Sequence, residues 1–279
     1  MTREAPASNA TQYARAFAGL FLRDLYVLRR ELFPFVIRVC MNPLLFLFVF
    51  TYIMPHMSGG AAMNPTAQMT NGAGVNFSTV LLPGLMAVSI MFSGIAAVAL
   101  PLSQEFGITR EIDDRVMCPL PIAFVAAEKV VFSAMQSMVA AAIVFPLAYY
   151  IPSTPVVAHV SSWPFLIAVL VLSSLTSGAL GLAIGTAVKP QQIGLIFGVV
   201  VMPITFLGCV YYPWAMLGKM PFLKYGVLVN PIVYMSEGLR AALVPGQHMP
   251  EVLILGMLCF FLGLLGWLGL RGFLRRVIG

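Results

Sequence analysis

The chain has 279 residues, 60% of them Ala, Val, Ile, Leu, Met, Phe, Trp, Tyr or Cys and only 9% charged, against roughly a quarter charged in ordinary globular proteins. That is too little polar surface to cover a soluble fold of this size. The net charge of +6 sits mostly beside apolar runs, where membrane topology rather than nucleic acid makes use of it.

Residues 39–104 and 130–188 contain no Lys, Arg, Asp or Glu. A bilayer core is about 30 Å thick and a spanning helix takes roughly 20 apolar residues, so these deserts and their flanks have room for about six spans. A cleavable signal is not expected, because Arg23, Asp24, Arg29 and Arg30 interrupt any apolar leader. Cys40, Cys118, Cys209 and Cys259 are scattered without a CxxC, which argues against a disulfide framework or a zinc site.

From Tyr13 to Leu32 the apolar residues Tyr13, Phe17, Leu20, Phe21, Leu25, Leu28 and Leu32 fall on one helical stripe, with Arg15, Arg23 and Arg30 opposite. This predicts an amphipathic helix lying in the headgroup plane. The first span is expected over Phe33–Met54, with Arg38 snorkelling to the interface and Pro43 as a kink. A loop from Pro55 to Asn76 follows, then a second span over Val80–Pro101. A charged connector, Gln104–Lys129, holds five of the ten acids. The third span is expected over Val130–Ile151 and the fourth over Phe165–Val188. The fifth should run from Ile193 to Tyr212 and the sixth from Val252 to Leu270, after an irregular stretch with Pro213, Pro221, Pro231 and Pro245.

On one side of this layout fall 13 Lys and Arg, on the other only Lys219, Lys224 and Arg240. The positive-inside rule then places both termini in the cytoplasm. Tyr52, Tyr149, Tyr150, Trp163, Tyr211, Tyr212 and Trp214 gather at the opposite ends of the spans, as an outer aromatic belt would. The expected fold is an all-α polytopic membrane protein forming a single domain over 1–279. It comprises a tail and interface helix (1–32), a six-span bundle (33–270) and a short tail (271–279).

Enzyme chemistry is hard to find. Gly218-Lys219 is followed by Met220, so no phosphate loop is present. Neither G-x-S-x-G nor H-E-x-x-H occurs, and His56, His159 and His248 all fall in expected outer loops. Asp113-Asp114 reads as two solvated acids, since no ligand follows at metal spacing. Met54, Met57, Met63, Met69 and His56 are soft enough for copper(I), but their irregular spacing favours a plain loop. The spans are nearly free of ionisable groups, which counts against a self-contained ion-coupled carrier. Gly181/Gly185, Gly194/Gly198 and the series Gly263, Gly266, Gly269, Gly272 read as generic helix packing.

Two segments carry more. The connector around Thr109-Arg-Glu-Ile-Asp-Asp-Arg115 is charge-dense and reads as helical, with Glu111 and Arg115 at i,i+4. Further on, Asn230 and Pro231 are N-cap and N1 signals, and Tyr234, Glu237 and Arg240 line one face of the helix they start.

At these residues the chain resembles the membrane subunit of type-2 ATP-binding cassette (ABC) exporters, the group of drug-resistance, nodulation-factor and polysaccharide export permeases. Thr109–Arg115 with Pro119-Leu-Pro121 is loosely similar to the family's E-R-E-x-G-T and T-P-x-S segments. Asn230, Pro231, Tyr234, Glu237 and Arg240 closely match its N-P-x-x-Y-x-x-E-x-x-R signature. The resemblance implies a permease that is not itself an enzyme and carries no cofactor. It further implies two copies of a separate ATPase, which bind ATP and Mg, and a second permease in a homo- or heterodimer. Glu105, Arg110, Glu111, Asp114 and Arg115 would form a cytoplasmic coupling helix. Asn230, Pro231, Tyr234, Glu237 and Arg240 would support an outer re-entrant hairpin before the last span. The implied work is moving a hydrophobic or lipid-linked substrate out across the plasma (inner) membrane, by a path whose lining residues the sequence does not name. A self-sufficient secondary carrier or channel is the alternative.

Overall fold

The computed structural model describes residues 9–49, 53, 77–109, 120–150, 159–245 and 248–278, and all regular structure among them is helical. The elements in order are α1 (Asn9–Arg30), α2 (Leu32–Phe48), α3 (Phe77–Gln104), α4 (Ile122–Tyr150), α5 (Trp163–Ala187) and α6 (Pro190–Phe206). They are followed by the short α7 (Pro221–Gly226), α8 (Pro231–Leu243) and the long α9 (Glu251–Ile278).

Among the described residues, four helices are long and apolar enough to cross a bilayer: α3, α4, α5 and α9. The pair α1 and α2, bent by 75° at Glu31, is a fifth candidate if counted as one broken span. This falls short of the expected six, for two reasons. The described part of the first span ends soon after Phe48, and α6 stops at Phe206 rather than Tyr212. In α6 a π turn at Phe197–Val201 precedes Pro203, whose missing N–H and ring disturb the ladder behind it.

The amphipathic reading of α1 holds in part: Phe17, Leu20, Phe21 and Leu28 turn toward the protein, but Tyr13 and Leu25 of the same stripe are exposed. Leu20 is buried, Phe21 meets Phe132 of α4 edge-on at 5.7 Å, and Arg15, Arg23 and Arg30 are exposed. Helix α2 continues through Pro43, the expected kink, from Leu32 to Phe48. Helix α4 starts eight residues before the expected third span, at Ile122. Glu128 and Lys129 are therefore buried in the bundle and are not part of a solvated connector.

The core is a seam of α3, α4 and α5 held by small residues. A Cβ on Gly181 or Gly185 of α5 would sit 3.0 or 3.1 Å from the Ile95 and Ala99 backbone of α3. Ser137 and Ser177 meet across α4 and α5 at 3.5 Å. The second pair, Gly194 and Gly198 of α6, has no atom within 4 Å of either Cβ position, Gly194 lining a cavity between α2, α3, α4 and α6.

One end of the bundle gathers the end of α3, the start of α4, and the ends of α5 and α9. There Phe106 touches Phe273, and Arg276 lies over Phe106 while donating to the Val188 carbonyl at 3.1 Å. At the opposite end His159 and Ser161 donate backbone N–H groups to Leu243 and Ala242.

Candidate functional site

Every residue of α8 is buried. A 13-residue helix is too short to cross a bilayer, so α8 is an internal prop, packed against α3, α5 and α9. Its start is chemically determined. Asn230 accepts from the Ile232 N–H at 3.1 Å as N-cap, and Pro231 occupies N1 with its preset φ. The same Asn230 uses its Nδ2 to donate to the Ile204 carbonyl at 2.6 Å, tying the start of α8 to α6.

Three further side chains of α8 fasten the segment that precedes it. Tyr234 donates its hydroxyl to the Leu228 carbonyl at 2.9 Å and lies near Phe261 of α9. Ser236 donates to the Gly208 carbonyl at 2.9 Å. Glu237 and Arg240, 1% and 4% exposed, form an ion pair one turn apart. Glu237 Oε1 also accepts from the Trp214 backbone N–H at 2.9 Å, and Arg240 donates to the carbonyls of Cys209 at 3.2 Å and Val210 at 3.5 Å.

The turn these groups hold is an unusual one. Cys209 has φ 51°, in the left-handed region that a side-chain-bearing residue adopts at a cost. The Val210 carbonyl presses on α3 at Gly84, where a Cβ would stand 1.9 Å from its oxygen. Only glycine fits there. Beyond the turn, Trp214–Lys219 and α7 form two short helical arms. Trp214 Nε1 donates to the Lys224 carbonyl at 3.2 Å, and Lys224 Nζ sits 4.3 Å over the Trp214 ring. Met220 between the arms, Phe222 and Tyr225 on α7 and Val229 beyond it are exposed, Phe222 almost completely at 94%.

All five residues expected at the late signature therefore come together, and the hairpin they were expected to support is fastened to them through Trp214. The spacing did not reveal Ser236, Gly84, or the role of the Cys209 and Val210 carbonyls. A glycine inside an apolar helix was the one available signal for Gly84.

The connector residues Arg110, Glu111, Asp114 and Arg115 lie outside the described residues. Glu105 is placed, and it is buried, with Lys129 Nζ donating to its Oε1 at 2.9 Å. That pair joins the end of α3 to the first turns of α4, the two helices between which the connector runs.

The apolar helices among the described residues are those of a helical membrane protein. The family model described as ABC-2 type transporter matches residues 16–244, and the chain belongs to that family. Among its relatives are the proteins named "Inner membrane transport permease YadH" of Escherichia coli K12, Escherichia coli O157:H7 and Shigella flexneri. Each is 29% identical to it over 193 residues, 68% of this chain and 72% of the relative.

Proposed function

We propose that the chain is the permease subunit of an ATP-driven exporter in the plasma (inner) membrane, moving a hydrophobic or lipid-linked substrate outward with a separate ATPase. Membership of the ABC-2 type transporter family over residues 16–244 is the observation that carries this. The name of the YadH relatives, an inner membrane transport permease, supports the membrane and the role.

In this reading the spans number six, the segments expected over Phe33–Met54 and Ile193–Tyr212 being the two that helix length alone does not supply. Both termini are cytoplasmic. The clustering of the ends of α3, α5 and α9 with Arg276 at one end of the bundle supports that arrangement, because the charge count puts all of them on the inner side. Two ATPase chains bind ATP and Mg on the inner face, and a second permease packs alongside. The open position at Gly198 of α6 supports close helix approach there.

Motion enters through the coupling segment with Arg110, Glu111, Asp114 and Arg115. The Glu105–Lys129 pair makes α3 and α4 respond together. On the outer side, Asn230, Pro231, Tyr234, Glu237 and Arg240 hold the hairpin as a closed exit, released when the permeases separate.

The test is transport. Inverted membrane vesicles carrying the permease and its ATPase should accumulate a lipophilic cargo only with ATP. Glu111→Arg or Arg115→Glu should leave the permease inserted while cutting ATPase association or transport-stimulated hydrolysis. Uptake driven by an ion gradient without ATP would establish the secondary carrier instead.

A further inference from the structure

Near its C-terminal end α9 has two faces of different character. On one, Gly269 and Gly272 lie against Leu182 and Thr186 of α5, Phe273 is buried against Phe106, and Arg276 reaches inward to the Val188 carbonyl. On the opposite face Phe260, Gly263, Trp267 and Arg271 follow one another at i,i+3 and i,i+4 spacing and point away from the bundle. Phe260 and Trp267 are exposed, and the Arg271 guanidinium lies 5.3 Å over the Trp267 ring. Between the two rings, Gly263 has no atom within 4 Å of its Cβ position.

The charges fix the height of this face in a bilayer. Val252–Leu270 contains no Asp, Glu, Lys or Arg. At about 1.5 Å per residue that run is about 28 Å long, close to the roughly 30 Å of a hydrocarbon core. Arg271 is therefore the first charge outside the core, at the level of the lipid phosphates. Trp267 stands one turn inside it and the exposed Arg275 one turn beyond.

Among the described residues neither Arg271 nor Arg275 has a hydrogen bond or ion pair, whereas Arg276 is held by the fold. The described acids on the helix ends gathered here, Glu105 and Glu128, are both buried. Glu105 is engaged with Lys129, and Glu128 has an interaction of its own. Lys189, just after α5, is exposed and adds positive charge, and no acid lies between Val252 and Gly279.

We infer that this end of α9 binds a diacyl phospholipid of net negative charge, its phosphate on Arg271 and Arg275 and one acyl chain at Gly263 between Phe260 and Trp267. A guanidinium meets phosphate through paired N–H donors, and the Trp267 ring beneath Arg271 orients them. Each basic residue at a membrane surface favours an anionic over a neutral lipid by about fivefold. The lipid is a resident of the bilayer and not the cargo. This site does not depend on the exporter reading; it requires only that α9 spans the membrane.

The test is photolabelling of the full permease in phosphatidylcholine nanodiscs. Phosphatidylglycerol with a diazirine partway along one acyl chain is added at increasing mole fraction, and the labelled peptides are mapped. Labelling should saturate and concentrate on Phe260–Trp267, and phosphatidylcholine carrying the same diazirine should label that stretch about tenfold less. Arg271→Gln with Arg275→Gln should bring phosphatidylglycerol down to the phosphatidylcholine level. Arg271→Lys with Arg275→Lys should keep most of the difference, and Arg15→Gln with Arg30→Gln on α1 should leave it unchanged. All these side chains are exposed, so the variants should keep a monodisperse elution profile.

Equal labelling by the two headgroups in the unaltered permease would overturn the assignment whatever the variants do. An equal loss in the α1 variant would also overturn it, by showing only a general attraction of anionic lipid to a basic protein. Label elsewhere but none on α9 would mean that protein covers this face, and would end the proposal too. No ATP enters the experiment, so its failure leaves the exporter reading standing, and a failure of ATP-driven transport leaves this site untouched.

Discussion

Arg240 donates to Glu237 and to two backbone carbonyls, and both charged residues are buried. Removing one partner of a buried pair leaves an uncompensated charge and costs about 3–5 kcal/mol, whereas an exposed pair is worth under about 1. Arg240→Ala should therefore lower folded yield sharply, measured as the monodisperse fraction after detergent extraction. Lys224→Ala, which loses only a partly exposed contact with the Trp214 ring, should cost about 0.5–1 kcal/mol and leave yield near wild type. The charge swap Glu237→Arg with Arg240→Glu should not rescue. It would set an arginine donor against the Trp214 N–H and a carboxylate against the Cys209 and Val210 carbonyls. Full rescue by the swap would mean that the two charges matter only to each other.

Among the helices, the two glycine pairs make opposite predictions. Gly181 of α5 touches the backbone of α3, so Gly181→Leu overpacks the core. It should destabilise by about 1–3 kcal/mol, read as a lower melting temperature of the purified permease. Gly198 of α6 has nothing near its Cβ position, so Gly198→Leu should leave that temperature unchanged and reduce permease–permease crosslinking. If Gly198→Leu melted the protomer while crosslinking persisted, α6 would be an internal helix and not a contact face.

The same helices show what could be read from sequence. Helix α5 was expected over Phe165–Val188 and runs over Trp163–Ala187, because an uncharged apolar run between Ser162 and Lys189 leaves few choices. Helix α4 was misjudged at its start because Glu128-Lys129 looks like a connector. Only the fold brings Glu105, 24 residues earlier, against Lys129. The end of α6 was overshot because Tyr211 and Tyr212 are apolar enough to continue it. What shapes the turn after Phe206 is left-handed Cys209 and donors from Asn230, Ser236 and Arg240 far along the chain. Spacing within one helix was legible at Tyr234, Glu237 and Arg240, and their backbone partners were not.

For the whole molecule, orientation and partnership are the testable properties. In a background without native cysteines, a cysteine at Ser58 or Ala61 should react with an impermeant thiol reagent applied outside, and one at Thr109 should not. The reverse pattern would invert the bundle and remove the coupling segment from the ATPase side. The most direct test of the account is purification of this permease from its native membrane together with whatever ATPase accompanies it, followed by mass measurement of the complex. The account predicts two permeases with two ATPases, hydrolysing ATP at a rate that changes when the permease is present. A permease that purifies without any ATPase and transports by itself would contradict it.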